Sequence, residues 1–221
     1  MKSTAKGGIK PIEKLTTRKE NSMDVIFIAG KSAVGKDTFF QNITDKKYNK
    51  IIPYTTRPKR SNEVDGVDYH FISDKTVLNH EDIAAMAQYH PAIGGTWTFI
   101  IDKKSFIEDK INVVIAPPSM IKTIQETMGV TGTIIYLYTF AHSRISRMLN
   151  RDTSSAAISE SCRRYLADEK DFKEYYDRCN SKEFCNVLSE HEVYQYMCVT
   201  FTRHEVNNLM DIIYSTAKTE G

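Results

Sequence analysis

The sequence predicts an α/β fold with a mostly parallel sheet, and two observations lead to this prediction. Short apolar runs of strand length alternate with segments of helical spacing along most of the chain. One such run, residues 25–29, is followed at once by a glycine-rich loop and then by a helical segment. With 221 residues, the chain fits one domain with subdomains, or at most two small domains.

Composition excludes several classes of protein. Apolar residues make up 41% and charged residues 26% of the chain, which is ordinary for a soluble globular protein. The net charge of +2 gives no bias toward nucleic acid or membrane partners, and the apolar runs are too short to span a bilayer. The four cysteines have no C-x-x-C spacing. We therefore expect a cytoplasmic protein with reduced thiols, whose oligomeric state is open.

The first 22 residues form a basic segment without an apolar core, so they do not read as a secretory signal. Glu13 and Glu20 weaken the alternative of a transit peptide. We expect residues 1–22 to be a disordered basic tail.

Residues 30–37 read G-K-S-A-V-G-K-D and match the phosphate-binding loop (P-loop) pattern G-x-x-x-x-G-K-[ST] except at the last position. In this pattern the backbone N–H groups wrap the phosphates and Lys36 reaches the outer ones. The alternative, a chance match in a strand–helix turn, is disfavoured by both glycines, the lysine and the flanking elements. The residues expected to bind ATP phosphates are Gly30, Ser32, Ala33, Val34, Gly35, Lys36, Asp37 and Thr38.

The remaining elements are predicted from periodicity and turn signals. The predicted strands are 69–72, two short strands within 86–101, 112–116 (ended by Pro117 and Pro118), 133–138 and 196–199. The predicted helices are the segment after the loop, one from Asp74 through Leu78, 102–109, 142–151, 158–177 and 204–215. Residues 152–155 are expected to be a flexible connection.

Residues 55–71, T-T-R-P-K-R-S-N-E-V-D-G-V-D-Y-H-F, carry a second signal. Arg57 and Arg60 offer two guanidinium groups, and Tyr69 a phenolic hydroxyl, to one anion. Arginine binds phosphate with directional, often bidentate hydrogen bonds, so this set suits a phosphomonoester. Taken alone, the stretch would first be interpreted as a solvated basic turn.

Together with the P-loop, this segment resembles the guanylate kinase family, whose members follow the loop with T-T-R-x-P-R-x-G-E-x-x-G-x-D-Y-x-F. The resemblance implies a P-loop NTPase core, a small β-rich acceptor-binding subdomain and a helical lid within residues 23–221. The core would comprise 23–52, 102–141 and 158–221, the acceptor-binding subdomain 53–101, and the lid 142–157. It also implies transfer of the γ-phosphoryl group of ATP, with Mg²⁺, to a nucleoside monophosphate (GMP, dGMP or a related nucleotide).

The resemblance assigns roles to individual residues. Arg57, Arg60 and Tyr69 would hold the phosphate of the acceptor, and Thr96 is a match on the next strand. Lys36 would stabilise the transferring group together with arginines of the lid and of the following helix: Arg147, Arg151, and Arg163 or Arg164. Without the resemblance, Arg147 and Arg151 would read as one exposed helical face.

The departures from the family pattern fall where guanine would be read. Ala85 aligns with a glutamate, Gly94 with a tyrosine and Pro53 with a serine. The family's L-D-I-D appears here as residues 114–117, V-I-A-P, without either carboxylate. Glu81 or Asp82 could substitute as base acceptors. A kinase for a sugar phosphate such as ribose 1,5-bisphosphate, and a non-catalytic binding module, are therefore alternatives; retention of Gly35 and Lys36 argues against the module.

Asp37 stands where a hydroxyl usually holds Mg²⁺. Since the strand-end carboxylates are lost at Ile115 and Pro117, we expect Asp37 to organise the metal, directly or through water, with Thr38 on an inner phosphate. The alternative is that Asp37 only caps the loop helix. Lys31 would either help the donor phosphates or point to solvent. Trp97 would either stack on a base or pack in a strand.

Overall fold

A computed structural model of the chain describes residues 23–74, 78–151, 153–180, 193–197, 206–211 and 215. Within the described residues up to 197, nine strands and five α-helices follow one another: β1 (Val25–Ala29), α1 (Lys36–Asn42), β2 (Tyr48–Ile51), β3 (Tyr54–Thr55), β4 (His70–Phe71), β5 (Ile83–Tyr89), β6 (Trp97–Asp102), β7 (Ile111–Ile115), α2 (Pro118–Met128), β8 (Thr133–Tyr138), α3 (Ala141–Leu149), α4 (Ser155–Asp171), α5 (Lys173–Asn180) and β9 (Val193–Met197). Residues 206–211 are also helical.

The larger sheet has five strands in the order β2-β7-β1-β8-β9, and every pairing in it is parallel. β1 lies at its centre, with Ile28 in register with Ile115 of β7 and Ile135 of β8. Its side chains alternate between the two faces of the sheet, and all five are buried. Burial on both faces explains why β1, β7 and β8 are apolar at nearly every position.

A core lies on each face of this sheet. On one face, Phe39 and Phe40 of α1 pack with Val206 and Met210 of the C-terminal helical segment. On the other face, Met120, Ile121 and Ile124 of α2 pack against the sheet together with Phe172. The same cluster contains Ala84 and Ala85 of β5, so α2 connects the parallel sheet to the second sheet.

The second sheet has four strands in the order β4-β3-β6-β5. It is mixed, because β3 pairs parallel with β4 and antiparallel with β6, and β5 pairs antiparallel with β6. The predicted α/β class with a mostly parallel sheet is therefore confirmed, and a smaller β-rich unit accompanies that sheet.

Two predicted elements were wrong in extent. Residues 102–109 are not a helix beyond one short 3₁₀ turn, Lys103–Ser105. Buried Asn112 explains this, since its side chain accepts a hydrogen bond from Ile107 N and donates one to Ile107 O. The long helix expected over 158–177 begins earlier, at Ser155, and is interrupted at Phe172, where α4 ends and the phenyl ring is buried.

Other differences are smaller. The sequence did not predict α2, which begins at Pro118 directly after the expected strand end. Ser155, expected in a flexible connection, is the first residue of α4 and follows the N-cap Ser154. The tail 1–22, residues 75–77 of the helix expected from Asp74, and parts of the elements expected at 196–199 and 204–215 lie outside the described residues. Among the described helices, none is long and apolar enough to cross a membrane.

Candidate functional site

The P-loop leaves the carboxyl end of the central strand β1 and leads into α1, as the sequence predicts. Gly30 packs so closely on β8 that a Cβ would lie 2.6 Å from the carbonyl oxygen of Leu137. Gly35, the N-cap of α1, has φ 110°, and Ala33 has φ 62°, a left-handed conformation that is unusual for a residue with a Cβ. The backbone of the loop therefore makes a tight turn against β8.

Lys36 is folded across this loop. Its Nζ donates hydrogen bonds to Gly30 O at 2.6 Å and to Lys31 O at 3.1 Å. Burial lowers the pKa of Lys36, and the nearby charges of Asp37 and Asp168 partly oppose that change. The ammonium group thus lies at the base of the loop, where it can turn toward an incoming phosphate.

A cleft of about 240 Å³ lies between the P-loop, the second sheet and α4. Its polar lining includes Lys36, Asp37, Arg60, Asp68, Tyr69, Arg151, Arg163, Arg164, Asp168 and Asp171. Its apolar lining includes Pro53, Tyr89, Trp97, Phe99, Ile101, Ile115, Ala116, Pro117, Met120 and Phe172. The fold therefore brings the P-loop into one cleft with residues as distant in the sequence as Arg163 and Asp171.

The two arginines of the acceptor motif have different environments. Arg57 is only 4% exposed; its guanidinium donates to Glu63 Oε1 at 2.7 Å and to Pro58 O at 2.8 Å. It lies over the rings of Tyr69 and Phe71 and does not belong to the cleft lining. Arg60 lines the cleft, and its Nη1 is 3.3 Å from the same Glu63 oxygen. Arg60 is thus the arginine of this pair that faces the cleft.

Tyr69 also lines the cleft, whereas Thr96 does not. Burial, followed by the charge of Asp37, raises the pKa of Tyr69 to about 12, so its hydroxyl stays protonated and can donate a hydrogen bond. Thr96 is exposed, and its hydroxyl lies 3.2 Å from Nδ1 of His90. The structure therefore places Thr96 in the β5–β6 turn region, away from Arg60 and Tyr69.

The four arginines expected in catalysis divide into two groups. Arg151, Arg163 and Arg164 line the cleft. Arg147 instead donates from Nη1 to the carbonyl oxygens of Ala33 and Val34, at 3.1 and 3.2 Å. This places Arg147 on the backbone of the P-loop, in direct contact with the loop that is expected to hold the phosphates.

Sequence reasoning missed a buried network that joins the P-loop to α3 and α4. Arg144, 3% exposed, donates to Ser32 O at 3.1 Å, to Asp168 Oδ2 at 3.0 Å and to Glu169 Oε1 at 3.0 Å. Ser32 N donates to the same Asp168 oxygen at 2.7 Å. Lys31, expected to bind phosphates or face solvent, is buried and paired with Glu169. Lys31 and Ser32 lie more than 100 residues from their partners in this network, so no local pattern could reveal these contacts.

Asp37 lies in the first turn of α1, where its side chain is exposed and lines the cleft. Ile115 and Pro117, at the end of β7, line the same cleft without offering a ligand. In the described part of the chain, no group of three or more His, Cys, Asp or Glu side chains could hold a metal ion. This donor set fits a Mg²⁺ ion that arrives with nucleotide phosphates and takes one protein carboxylate.

The positions that the sequence links to reading a base include Ala85, Gly94, Glu81 and Asp82, and none of these four lines the cleft. Ala85, aligned with the family's glutamate, is buried in the core and not in the cleft. Glu81 and Asp82, the alternative base acceptors, lie outside the cleft lining, and Asp82 pairs with Lys104 at 2.7 Å. Gly94 has φ 86° in the open β5–β6 turn. The structure therefore brings neither of the two acceptor candidates, Glu81 and Asp82, into the cleft.

Comparisons with known proteins agree with this architecture. The family model described as guanylate kinase matches residues 22–183. The chain is 45% identical over 90 residues to a guanylate kinase of Mycolicibacterium paratuberculosis, covering 39% of this chain and 40% of that one. It is 30% identical over 122 residues to a guanylate kinase of Methylobacillus flagellatus, covering 44% of this chain and 60% of that one.

Two further similarities are to a Drosophila protein and to a solved structure. Over 55 residues, the chain is 46% identical to the Disks large 1 tumor suppressor protein of Drosophila melanogaster, covering 23% of this chain and 6% of that protein. The chain thus spans 60% or less of the length of these curated relatives. A crystal structure of guanylate kinase from Anaplasma phagocytophilum superposes with a TM-score of 0.50 at 14% identity, covering 91% of this chain and 87% of that one; this shows a shared fold.

Proposed function

Because the chain belongs to the guanylate kinase family, we propose that it transfers the γ-phosphoryl group of ATP to a nucleoside monophosphate such as GMP, dGMP or a related nucleotide. One observation carries the proposal: a P-loop with its lysine and a set of arginines from separate segments line a single cleft. Phosphoryl transfer needs little covalent chemistry, so positioning and charge neutralisation account for most of its catalysis.

On the donor side, the P-loop amides and Lys36 would bind the phosphates of ATP. Lys36 would exchange its bonds to Gly30 O and Lys31 O for bonds to phosphate oxygens. Arg147 keeps the loop in shape through Ala33 O and Val34 O, and Arg151 adds positive charge in the cleft. When Mg²⁺ is bound with the nucleotide, Asp37 would hold it, and the ion would neutralise phosphate charge.

On the acceptor side, Arg60 and Tyr69 would bind the phosphate of the monophosphate. Tyr69 can do so as a donor because its hydroxyl stays protonated. Arg57 would keep Arg60 and Tyr69 in position, because it donates a hydrogen bond to Glu63 and its guanidinium carbon lies 5.3 Å from the centre of the Tyr69 ring. Arg163 and Arg164 would neutralise the transferring group, a contribution that reaches about 10³–10⁵ in rate for an arginine supplied at closure.

A second candidate is a kinase for a sugar phosphate such as ribose 1,5-bisphosphate. The observation that favours it is that neither Glu81 nor Asp82 lines the cleft, so neither can accept a hydrogen bond from a base there. The nucleotide is favoured by Arg60 and Tyr69, which both face the cleft. Together they offer a binding site for the single phosphate of a larger acceptor molecule.

The test is a phosphotransfer screen with ATP and Mg²⁺ across GMP, dGMP, the other nucleoside monophosphates and ribose 1,5-bisphosphate. We expect turnover with at least one monophosphate and none in Lys36→Ala. Turnover with the sugar phosphate alone would replace the first candidate with the second. ATP binding by calorimetry without turnover on any acceptor would contradict the proposal and favour a binding module.

A further inference from the structure

One carboxylate on α4, that of Glu160, receives hydrogen bonds from three residues. Arg163 donates to both of its oxygens, at 2.9 and 2.8 Å. Arg164 Nε donates to Oε1 at 2.8 Å. The fourth bond comes from another part of the fold: Ala92 N donates to Oε2 at 2.9 Å. Glu160 therefore binds two arginines of its own helix and one backbone amide of the second sheet.

Ala92 lies in the turn between β5 and β6, which Gly94 N closes by donating to Pro91 O at 3.0 Å. A second contact joins this sheet to α4, because the Arg164 guanidinium lies 5.8 Å from the ring centre of Trp97 at the start of β6. The end of the second sheet is thus attached to α4 through both Glu160 and Arg164. Trp97, Arg163 and Arg164 line the cleft, so these contacts form part of its wall.

The charges explain why the arrangement suits phosphates. The side chain of Glu160 is 13% exposed. Burial alone would raise the pKa of Glu160, but the bonds from Arg163, Arg164 and Ala92 N outweigh it and lower the pKa to about 2. The carboxylate thus stays ionised, and the two arginines that it binds carry one positive charge more than it neutralises.

We propose that Glu160 is a positioning residue that couples the seating of the β5–β6 turn on α4 to the orientation of Arg163 and Arg164 in the cleft. This inference rests on the proposed function for its kinetic consequence. Ala92 N already completes the partners of the carboxylate before any acceptor enters the cleft, so the two guanidinium groups are held in place for the acceptor. Without that amide, the arginines lose one of the constraints that orient them.

Two substitutions test the charge of Glu160 and the backbone donor of Ala92 separately. Glu160→Gln keeps the shape of the side chain but removes its charge. Ala92→Pro removes only the amide donor, and proline is favoured at this second position of a turn, so the turn is expected to form. Ala92→Ser, which keeps the N–H group, is its matched control. Glu126→Gln on α2, whose exposed carboxylate pairs with Lys122 at 3.9 Å, is the control for the acid-to-amide change.

The first readout needs no substrate. Trp97 is the only tryptophan of the chain, so its fluorescence reports directly on the contact with α4. We expect acrylamide to quench Trp97 more strongly in Glu160→Gln and Ala92→Pro than in wild type, with both controls unchanged. Quenching equal to wild type in both test variants would overturn the proposal.

The second readout is kinetic. A misplacement of about 1 Å can cost roughly 10²-fold in rate, so we expect both test variants to lose about that factor in kcat at an unchanged KM for ATP. Increased quenching with a wild-type kcat would overturn the coupling. A wild-type protein without turnover would count against the proposed function alone, because the fluorescence of Trp97 still decides whether Glu160 holds the turn.

Discussion

At the scale of single residues, Asp37 is the position where the P-loop departs from its usual pattern. Its carboxylate lines the cleft, while the neighbouring strand end offers only Ile115 and Pro117. If Asp37 organises the metal, Asp37→Ala should abolish Mg²⁺-dependent turnover, and Asp37→Ser should retain weak activity. Steady-state turnover at varied Mg²⁺ concentration measures both effects.

The matched control for this prediction is Asp109→Ala, which removes an exposed carboxylate of the loop before β7. It should leave turnover and its Mg²⁺ dependence at wild-type values. Near-normal turnover in Asp37→Ala would contradict the metal role and leave Asp37 as a helix-capping residue.

Arg57 and Glu63 show how a residue expected in binding can also stabilise the fold. Glu63 accepts from Arg57 Nη2 at 2.7 Å and from Arg60 N at 2.8 Å. Removing one partner of a buried pair leaves an uncompensated charge, so Glu63→Ala should lower the free energy of unfolding by about 3–5 kcal/mol. Urea unfolding at neutral pH measures this loss.

The pH dependence of the same pair has a definite sign. Burial would raise the pKa of Glu63, but the bonds from Arg57 and Arg60 lower it below its ordinary value of 4.5. The unfolded chain therefore takes up the proton first as the pH falls, and the stabilisation present above pH 4.5 declines below it. The difference in unfolding free energy between wild type and Glu63→Ala should shrink there; an equal difference at pH 7 and pH 3 would contradict the assignment.

At the scale of elements, α3 presents two arginines with different tasks. Arg144 is buried between Asp168, Glu169 and Ser32 O, whereas Arg147 is exposed and holds carbonyls of the P-loop. Arg144→Ala should cost about 3–5 kcal/mol of stability. Arg147→Ala should change stability by about 0.5 kcal/mol or less, yet reduce turnover by roughly 10²-fold, because the P-loop would lose the contact that keeps it in shape.

Thermal unfolding and kcat, measured on both variants, test this division. Each variant serves as the control for the other, since both remove one arginine from the same helix. If Arg147→Ala unfolds as readily as Arg144→Ala, or turns over at the wild-type rate, the division of roles is wrong.

The elements differ in how much the sequence could predict. The strand expected over 133–138 has those bounds in the structure, because strands buried on both faces carry an unbroken apolar run. The helix α2 was missed because Pro117 and Pro118 were read as a stop, although proline is compatible with the first helical turn. The network of Arg144, Lys31 and Asp168 could not be predicted, since it depends on tertiary contacts between distant segments.

At the scale of the whole molecule, the site forms because the parallel sheet and the mixed sheet both pack against α2. α2 packs on the parallel sheet and on β5, so the β-rich unit is held over the carboxyl ends of the parallel strands. In open parallel sheets this edge is where ligands bind. The P-loop pattern predicted the donor half of the cleft, whereas the apolar acceptor half, with Tyr89, Phe99 and Ile101, follows from the packing of the second sheet.

This architecture makes a prediction about the choice of acceptor. Guanine must donate from a ring N–H and an amino group, and a site built for such donors discriminates by about 10⁴–10⁵. Among the acidic side chains lining the described cleft, Asp168 binds Ser32 N, and Asp68 binds Val64 N. Asp37 lies at the P-loop, and Asp171 remains as the carboxylate near the apolar end.

We therefore expect kcat/KM with GMP to exceed that with AMP, CMP or dTMP by less than about 10⁴. Whatever preference exists should fall in Asp171→Asn, because an amide in place of the carboxylate accepts less strongly from a base N–H group. Competition assays with pairs of monophosphates measure the ratio directly, and Asp109→Asn is the matched control. A preference for GMP above about 10⁴ that persists in Asp171→Asn would mean that guanine is read by backbone groups or by residues outside the described cleft.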